Sequence, residues 1–214
     1  MPDVPLQPPA KHAIDDGMNV HSASPSTTPT VRERVIAAAI ELFARDGYFQ
    51  TSLPDIQQQA GVSIGAIYRN FASKDELAAT VYDLVLDAIG ELFRVNLDGR
   101  DDFLERFRGL LSDLFRLTEE RPELIEYALY VKHREISQEI GPVCSSEPFV
   151  YLQARVADAM RRKQLRSGDV VVTTATLMGP PLRLIQLSLD GLLRPPLAGT
   201  VDTLIDNARR ALAP

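Results

Sequence analysis

From Val31 onward, apolar residues recur at three- and four-residue intervals, with no convincing period-two segment between them. That spacing predicts amphipathic helices and an all-α chain. Val31, Val35, Ala38, Ala39, Leu42 and Phe43 mark a first helix, with Thr30 and Glu33 as a capping box and Gly47 as its stop. A short second helix is entered at Thr51 or Ser52, carries Pro54 in its first turn and ends at Gly61. A short third follows over residues 64–71. Ser73-Lys74-Asp75-Glu76 makes another capping box, opening a long helix with Leu77, Val81, Leu84, Val85, Ala88 and Leu92 on one face. The remaining pattern predicts helices around Phe103–Phe115, from Pro122 to a stop at Gly141-Pro142, over 148–165, over 169–191 with a bend at Pro180-Pro181, and over 201–212. That makes about nine helices.

Residues 1–30 break this pattern. They hold six of the 15 prolines, much Ser and Thr, and no apolar periodicity, so they read as a disordered arm. His12 and His21 lie in it, nine residues apart, too loosely placed to hold a metal. Composition narrows the rest. At 45% hydrophobic residues the chain can bury a core. One cysteine, Cys144, permits no intrachain disulfide and has no Lys, Arg or His within five residues to activate it, in keeping with a cytoplasmic location. The longest uncharged apolar stretch, residues 170–182, is shorter than the roughly 20 residues a bilayer span needs, so no membrane role is expected. No basic segment followed by an apolar block opens the chain, which predicts no secretory signal.

The three short helices within 31–71 fit a helix-turn-helix. At Gly61-Val62-Ser63 the glycine can turn left-handed, the valine can plug a small core and the serine can cap the next helix. Ala60-Gly61-Val62-Ser63, then Gly65, Ile67-Tyr68, Phe71 and Ser73-Lys74-Asp75-Glu76-Leu77, all in fixed register, resemble the DNA-binding signature of the TetR family of transcriptional regulators. One departure is Gln57, where the family usually keeps alanine. The resemblance covers about residues 31–77. It implies that Ile64, Gly65 and Ala66 lie against base edges, with Ser63 at the head of their helix, and that Thr51, Tyr68, Asn70 and Lys74 hold phosphates. Arg69 reaches either a phosphate or a guanine. The residue chemistry agrees in kind. Hydroxyls and cations position a duplex backbone, and apolar side chains contact thymine methyls.

Gly61-Val62-Ser63-Ile64-Gly65 also matches G-x-S-x-G, the nucleophile elbow of α/β-hydrolases. An elbow needs a strand before its serine and a sheet to expose it, which an all-α chain does not supply. Phosphate-binding glycine loops and H-E-x-x-H are absent from the sequence, so no enzyme, cofactor, catalytic residue or metal site is expected.

Residues 77–214 hold nine of the 14 aromatics. The resemblance implies that this larger helical part binds a small effector and dimerises. An apolar cavity would suit an apolar or aromatic compound, with Phe107, Phe115, Tyr127, Tyr130, His133 and Met178 as candidate lining. The last two helices would pair with a second copy through Ala175, Leu184, Leu187, Leu204, Ala208 and Leu212. The organisation expected is therefore an arm (1–30), a helix-turn-helix domain (31–76) and an effector and dimerisation domain (77–214). The function expected is a homodimeric repressor, released from a palindromic double-stranded operator by its effector. The alternative is an effector-independent activator or DNA-organising protein.

Net charge limits how DNA would be held. The chain carries −6 overall, and residues 31–76 hold five Lys+Arg against six Asp+Glu. Affinity must rest on a few placed groups, Arg69 and Lys74 first and Arg32 and Arg34 beside them, and the salt dependence should be modest.

Overall fold

The computed structural model describes residues 28–99, 102–130 and 146–214. Among them are nine α-helices and one turn of 3-10 helix. These are α1 (Val31–Asp46), α2 (Leu53–Ala60), α3 (Ile64–Asn70), α4 (Lys74–Leu97), α5 (Phe103–Glu120), α6 (Pro122–Tyr130), α7 (Glu147–Arg161), α8 (Val170–Leu189), the 3-10 turn (Leu197–Thr200) and α9 (Val201–Leu212). The chain is all-α as the periodicity predicts. His12, His21, His133, Cys144 and the expected stop at Gly141-Pro142 lie outside the described residues.

Local chemistry sets the helix ends. The Thr30 hydroxyl accepts from the Glu33 N–H (3.2 Å) while the Glu33 carboxylate accepts from the Thr30 N–H (2.7 Å), a complete capping box. Ser52 and Asp55 form a second. At α4 the box is half made. Ser73 caps Glu76, but the Glu76 carboxylate takes the Ala72 N–H (2.7 Å). Helix α7 stops four residues before the expected Leu165. Lys163 adopts φ +58°, the Gln164 N–H returns to the Ala159 carbonyl (2.9 Å), and Leu165 turns into the core. Helix α8 continues through Pro180 and Pro181, whose missing N–H groups leave the Thr176 and Leu177 carbonyls without their in-helix donors.

One apolar core runs through the molecule, from Val35 in α1 to Leu212 in α9. It crosses the expected boundary near residue 76 without a break. Helix α4 packs on α1 at its start and on α5 and α7 further along, and α6 packs broadly on α1. Tyr127 of α6 is fully buried where these helices meet. Its ring lies 6.4 Å from that of Phe43, and its hydroxyl donates to the Ala78 carbonyl (3.2 Å). The 3-10 turn is held from α5, where Glu119 accepts the Leu197 N–H (2.6 Å). Helix α8 has the length and composition of a membrane span, with a mean hydropathy of 1.2, and one third of that stretch is buried against its neighbours.

Candidate nucleic-acid interface

The site is built by the turn between α2 and α3. Gly61 takes φ +62°, ψ +41°, a left-handed conformation that would strain any residue with a Cβ. Its N–H returns to α2, closing that helix in one residue. Ser63 then caps α3, accepting the Ala66 N–H (3.2 Å), while Val62 packs half-buried on the core. Ile56 and Ile67 are fully buried and lock α2 and α3 against α1. The outer face of α3 is consequently fixed, and it presents Ile64, Gly65, Tyr68 (55% exposed) and Arg69 to solvent.

Other expected contacts are arranged differently. Ala66 is only 6% exposed, so of the three residues expected at base edges Ile64 and Gly65 alone are presented. The Asn70 amide donates back to the Ala66 carbonyl (2.8 Å). Thr51 is 2% exposed, its hydroxyl turned inward to the Gly47 carbonyl (2.9 Å), with the Leu42 carbonyl at 3.3 Å. Lys74 reaches across to the loop between α1 and α2. Its Nζ donates to the carbonyls of Tyr48 (2.9 Å) and Thr51 (3.0 Å) and sits 4.0 Å from the Tyr48 ring centroid. The Tyr48 hydroxyl in turn donates to Asp75; burial and that carboxylate push its pKa upward. Thr51 and Lys74 are therefore part of the scaffold behind the interface, and their side-chain polar groups already have protein partners.

Two cations from α1 border the turn. The Arg32 guanidinium lies 5.3 Å from the Phe71 ring centroid, and Arg34 Nη1 is 4.0 Å from where a Gly61 Cβ would stand. Sequence spacing alone did not bring them here; the packing of α1 across α2 and α3 does. The G-x-S-x-G match has no elbow geometry, because Ser63 follows a helix and its hydroxyl caps another.

Residues 35–81 match the family model described as bacterial regulatory proteins, tetR family. This N-terminal segment is thus similar to the DNA-binding part of TetR-family regulators. Curated proteins resemble the chain over longer stretches. The HTH-type transcriptional regulator AcrR of Shigella flexneri is 33% identical over 106 residues, 47% of this chain and 48% of that protein. The HTH-type transcriptional repressor KstR2 of Mycobacterium tuberculosis is 29% identical over 124 residues, 58% of each chain. The chain thus spans about half the length of the curated relatives it matches. The likeness in fold extends further than the likeness in sequence. The transcriptional regulator FadR of Bacillus subtilis, solved in complex with stearoyl-CoA, superposes with a TM-score of 0.69 at 19% identity, covering 82% of this chain and 96% of that one.

A second feature lies in the larger part. Helices α4 to α8 border an apolar cavity of about 30 Å³, lined by Leu86, Ile89, Phe93, Leu114, Ile125, Ala128, Leu129, Ser146, Pro148, Phe149, Met178, Leu182 and Ile185. Of the expected lining, Met178 is there. Phe107, Phe115 and Tyr127 are instead core residues beside it, and Tyr130 is exposed, donating to Asp190 (3.3 Å). On α8, Val171, Val172, Ala175, Thr176 and Gly179 form an exposed stripe of small and apolar residues. Leu184, Leu187, Leu204 and Ala208 are half-buried at its border, whereas Leu212 is buried within the protomer.

Proposed function

We propose that the chain is a homodimeric, DNA-binding transcriptional regulator that represses from a palindromic double-stranded operator and is released by a small apolar effector. The observation that carries the proposal is the exposed face of α3, with Ile64, Gly65, Tyr68 and Arg69 presented by a turn that Gly61 and Ser63 fix. A helix held this way enters a major groove. Residues 31–76 serve as the DNA-binding part and residues 77–214 as the effector and dimer part, joined by α4.

The apolar stripe on α8 supports dimerisation, since a second copy would cover Val171, Val172 and Ala175. Two α3 helices would then be spaced by about 34–36 Å, one duplex turn, or somewhat more. The lining of the cavity supports an apolar effector such as an alkyl or aromatic compound. The FadR structure that shares this fold holds stearoyl-CoA, itself a long-tailed ligand. At about 30 Å³ the cavity is far smaller than a drug-sized ligand, so an effector must widen it.

The test is selection of duplexes from a random pool, followed by titration at two stated salt concentrations. A two-fold-symmetric site bound tightly and specifically is the expected result. Binding without sequence preference would refute the regulatory reading. Release of that site by an apolar compound that also raises the melting temperature would establish the effector. Operator binding that no such compound disturbs would favour the effector-independent alternative.

A further inference from the structure

We propose that Arg69 is the guanine-reading, specificity-determining residue of this interface, and that it is not a phosphate anchor. The inference rests on the DNA-binding reading above and deepens it.

Arg69 stands four residues after Gly65, so the two share one face of α3. Its guanidinium lies back along the helix, with Nη1 3.7 Å from where a Gly65 Cβ would be. The absence of a side chain at position 65 opens a shallow track on the helix surface, and Arg69 occupies it. The charged fork therefore sits over the beginning of α3, beside exposed Ile64, at the end of the helix that reads base edges in this motif.

The polar groups nearby sharpen the assignment. The Asn70 amide, the Thr51 hydroxyl and the Lys74 ammonium all donate to backbone carbonyls of the protein. The Ser63 hydroxyl accepts from Ala66. Among the described residues Arg69 has no ion pair, hydrogen bond or ring contact, and the residue is exposed. A guanidinium matches the O6 and N7 acceptors of guanine with two parallel hydrogen bonds, which no other base offers in that pattern.

The experiment compares the wild-type protein with Arg69→Ala and Arg69→Lys in selection from random duplexes, with melting curves to confirm folding. Wild type should require guanine at one position of each half-site. In Arg69→Ala the discrimination at that position alone should fall by about 5- to 150-fold, the worth of one bidentate base contact. Arg69→Lys keeps the charge and loses the fork. It should lose most of the same discrimination while the salt dependence stays as in wild type, and it carries the test if the alanine variant does not fold. A phosphate role predicts the reverse. Arg69→Ala would then weaken all sequences alike with the salt slope reduced by about one, Arg69→Lys would select as wild type does, and the proposal would be overturned. A wild type that enriches no sequence overturns the DNA-binding reading and this inference together. A selected palindrome indifferent to residue 69 overturns this inference alone.

Discussion

Replacing Lys74 by Met should destabilise the protein as well as weaken DNA binding. The methionine keeps most of the aliphatic length and removes the ammonium. Two charge-assisted hydrogen bonds are lost, to the carbonyls of Tyr48 and Thr51, along with the ammonium's position 4.0 Å from the Tyr48 ring centroid. Hydrogen bonds to charged groups contribute about 1.5–3 kcal/mol each when well buried. Lys74 is half-buried and water can take over part of the role, so the lower end applies to each bond. The expected loss is about 2–3 kcal/mol for the set. For a chain of this size that lowers Tm by roughly 5–10 °C. The loop that Lys74 holds leads directly into α2, so operator affinity should fall through disorder of the helix pair. Thermal denaturation of the free protein decides the matter. A pure phosphate contact would leave Tm unchanged and lower the salt slope by about one. An unchanged Tm would refute the strut.

Three further outcomes are expected. A Cβ on Gly109 would stand 2.6 Å from Asn96 Oδ1, and that amide is held by the Leu92 carbonyl (3.0 Å) and Asp113 (2.9 Å). Gly109→Ala should therefore cost about 1–2 kcal/mol in denaturant melts, yet stabilise by up to about 1 kcal/mol in an Asn96→Ala background, where only helix propensity remains; the same sign in both backgrounds would refute the clash. Burial, and then the bond to Asp98, raises the Tyr151 hydroxyl pKa to about 12 against an ordinary 10. A raised folded-state pKa stabilises fully below about pH 10 and fades as pH climbs through 12, so Tyr151→Phe should show a smaller alkaline stability loss than wild type across that window. Ala175→Glu, placing a charge in the exposed stripe of α8, should convert dimers to monomers by sedimentation and weaken operator binding; an undisturbed dimer would move the interface elsewhere.

The helix-turn-helix was legible because short-range chemistry specifies it. Ser52, Gly61 and Ser63 each act within about four residues; Gly61 and Ser63 do in the structure what their spacing predicts, and of the two expected entries, Thr51 and Ser52, it is Ser52 that caps α2. The directions of Thr51 and Lys74 were not legible: Lys74 reaches carbonyls 26 and 23 residues away, and the Thr51 hydroxyl turns to the Gly47 carbonyl instead of solvent only because the loop packs back on α1. The end of α7 was missed for a related reason. Leu165 reads as a last apolar position of the helix, but the chain reverses before it, Lys163 taking a left-handed backbone so that Leu165 is buried in the core. The cavity posed the hardest problem. Five helices meet around it, and periodicity marks Phe107, Leu114 and Phe115 alike as inward-facing. Only the three-dimensional packing separates those that fill the core from those that border a void.

That packing also suggests how a filled cavity would reach the DNA face. Helix α6 is only nine residues long and is engaged on two sides. Ile125, Ala128 and Leu129 border the cavity, while Tyr127 is wedged between Phe43 of α1 and the Ala78 carbonyl of α4. A drug-sized ligand occupies a few hundred Å³, so its entry must displace the cavity walls. A helix this short moves as a unit, and a close-packed core passes the displacement on without absorbing it. Tyr127 would then shift α1 directly, as well as through α4. Because α2 and α3 are locked to α1 by Ile56 and Ile67, the reading face would move with it. The strength of this linkage is bounded by the difference in effector affinity between the two arrangements of the cavity walls.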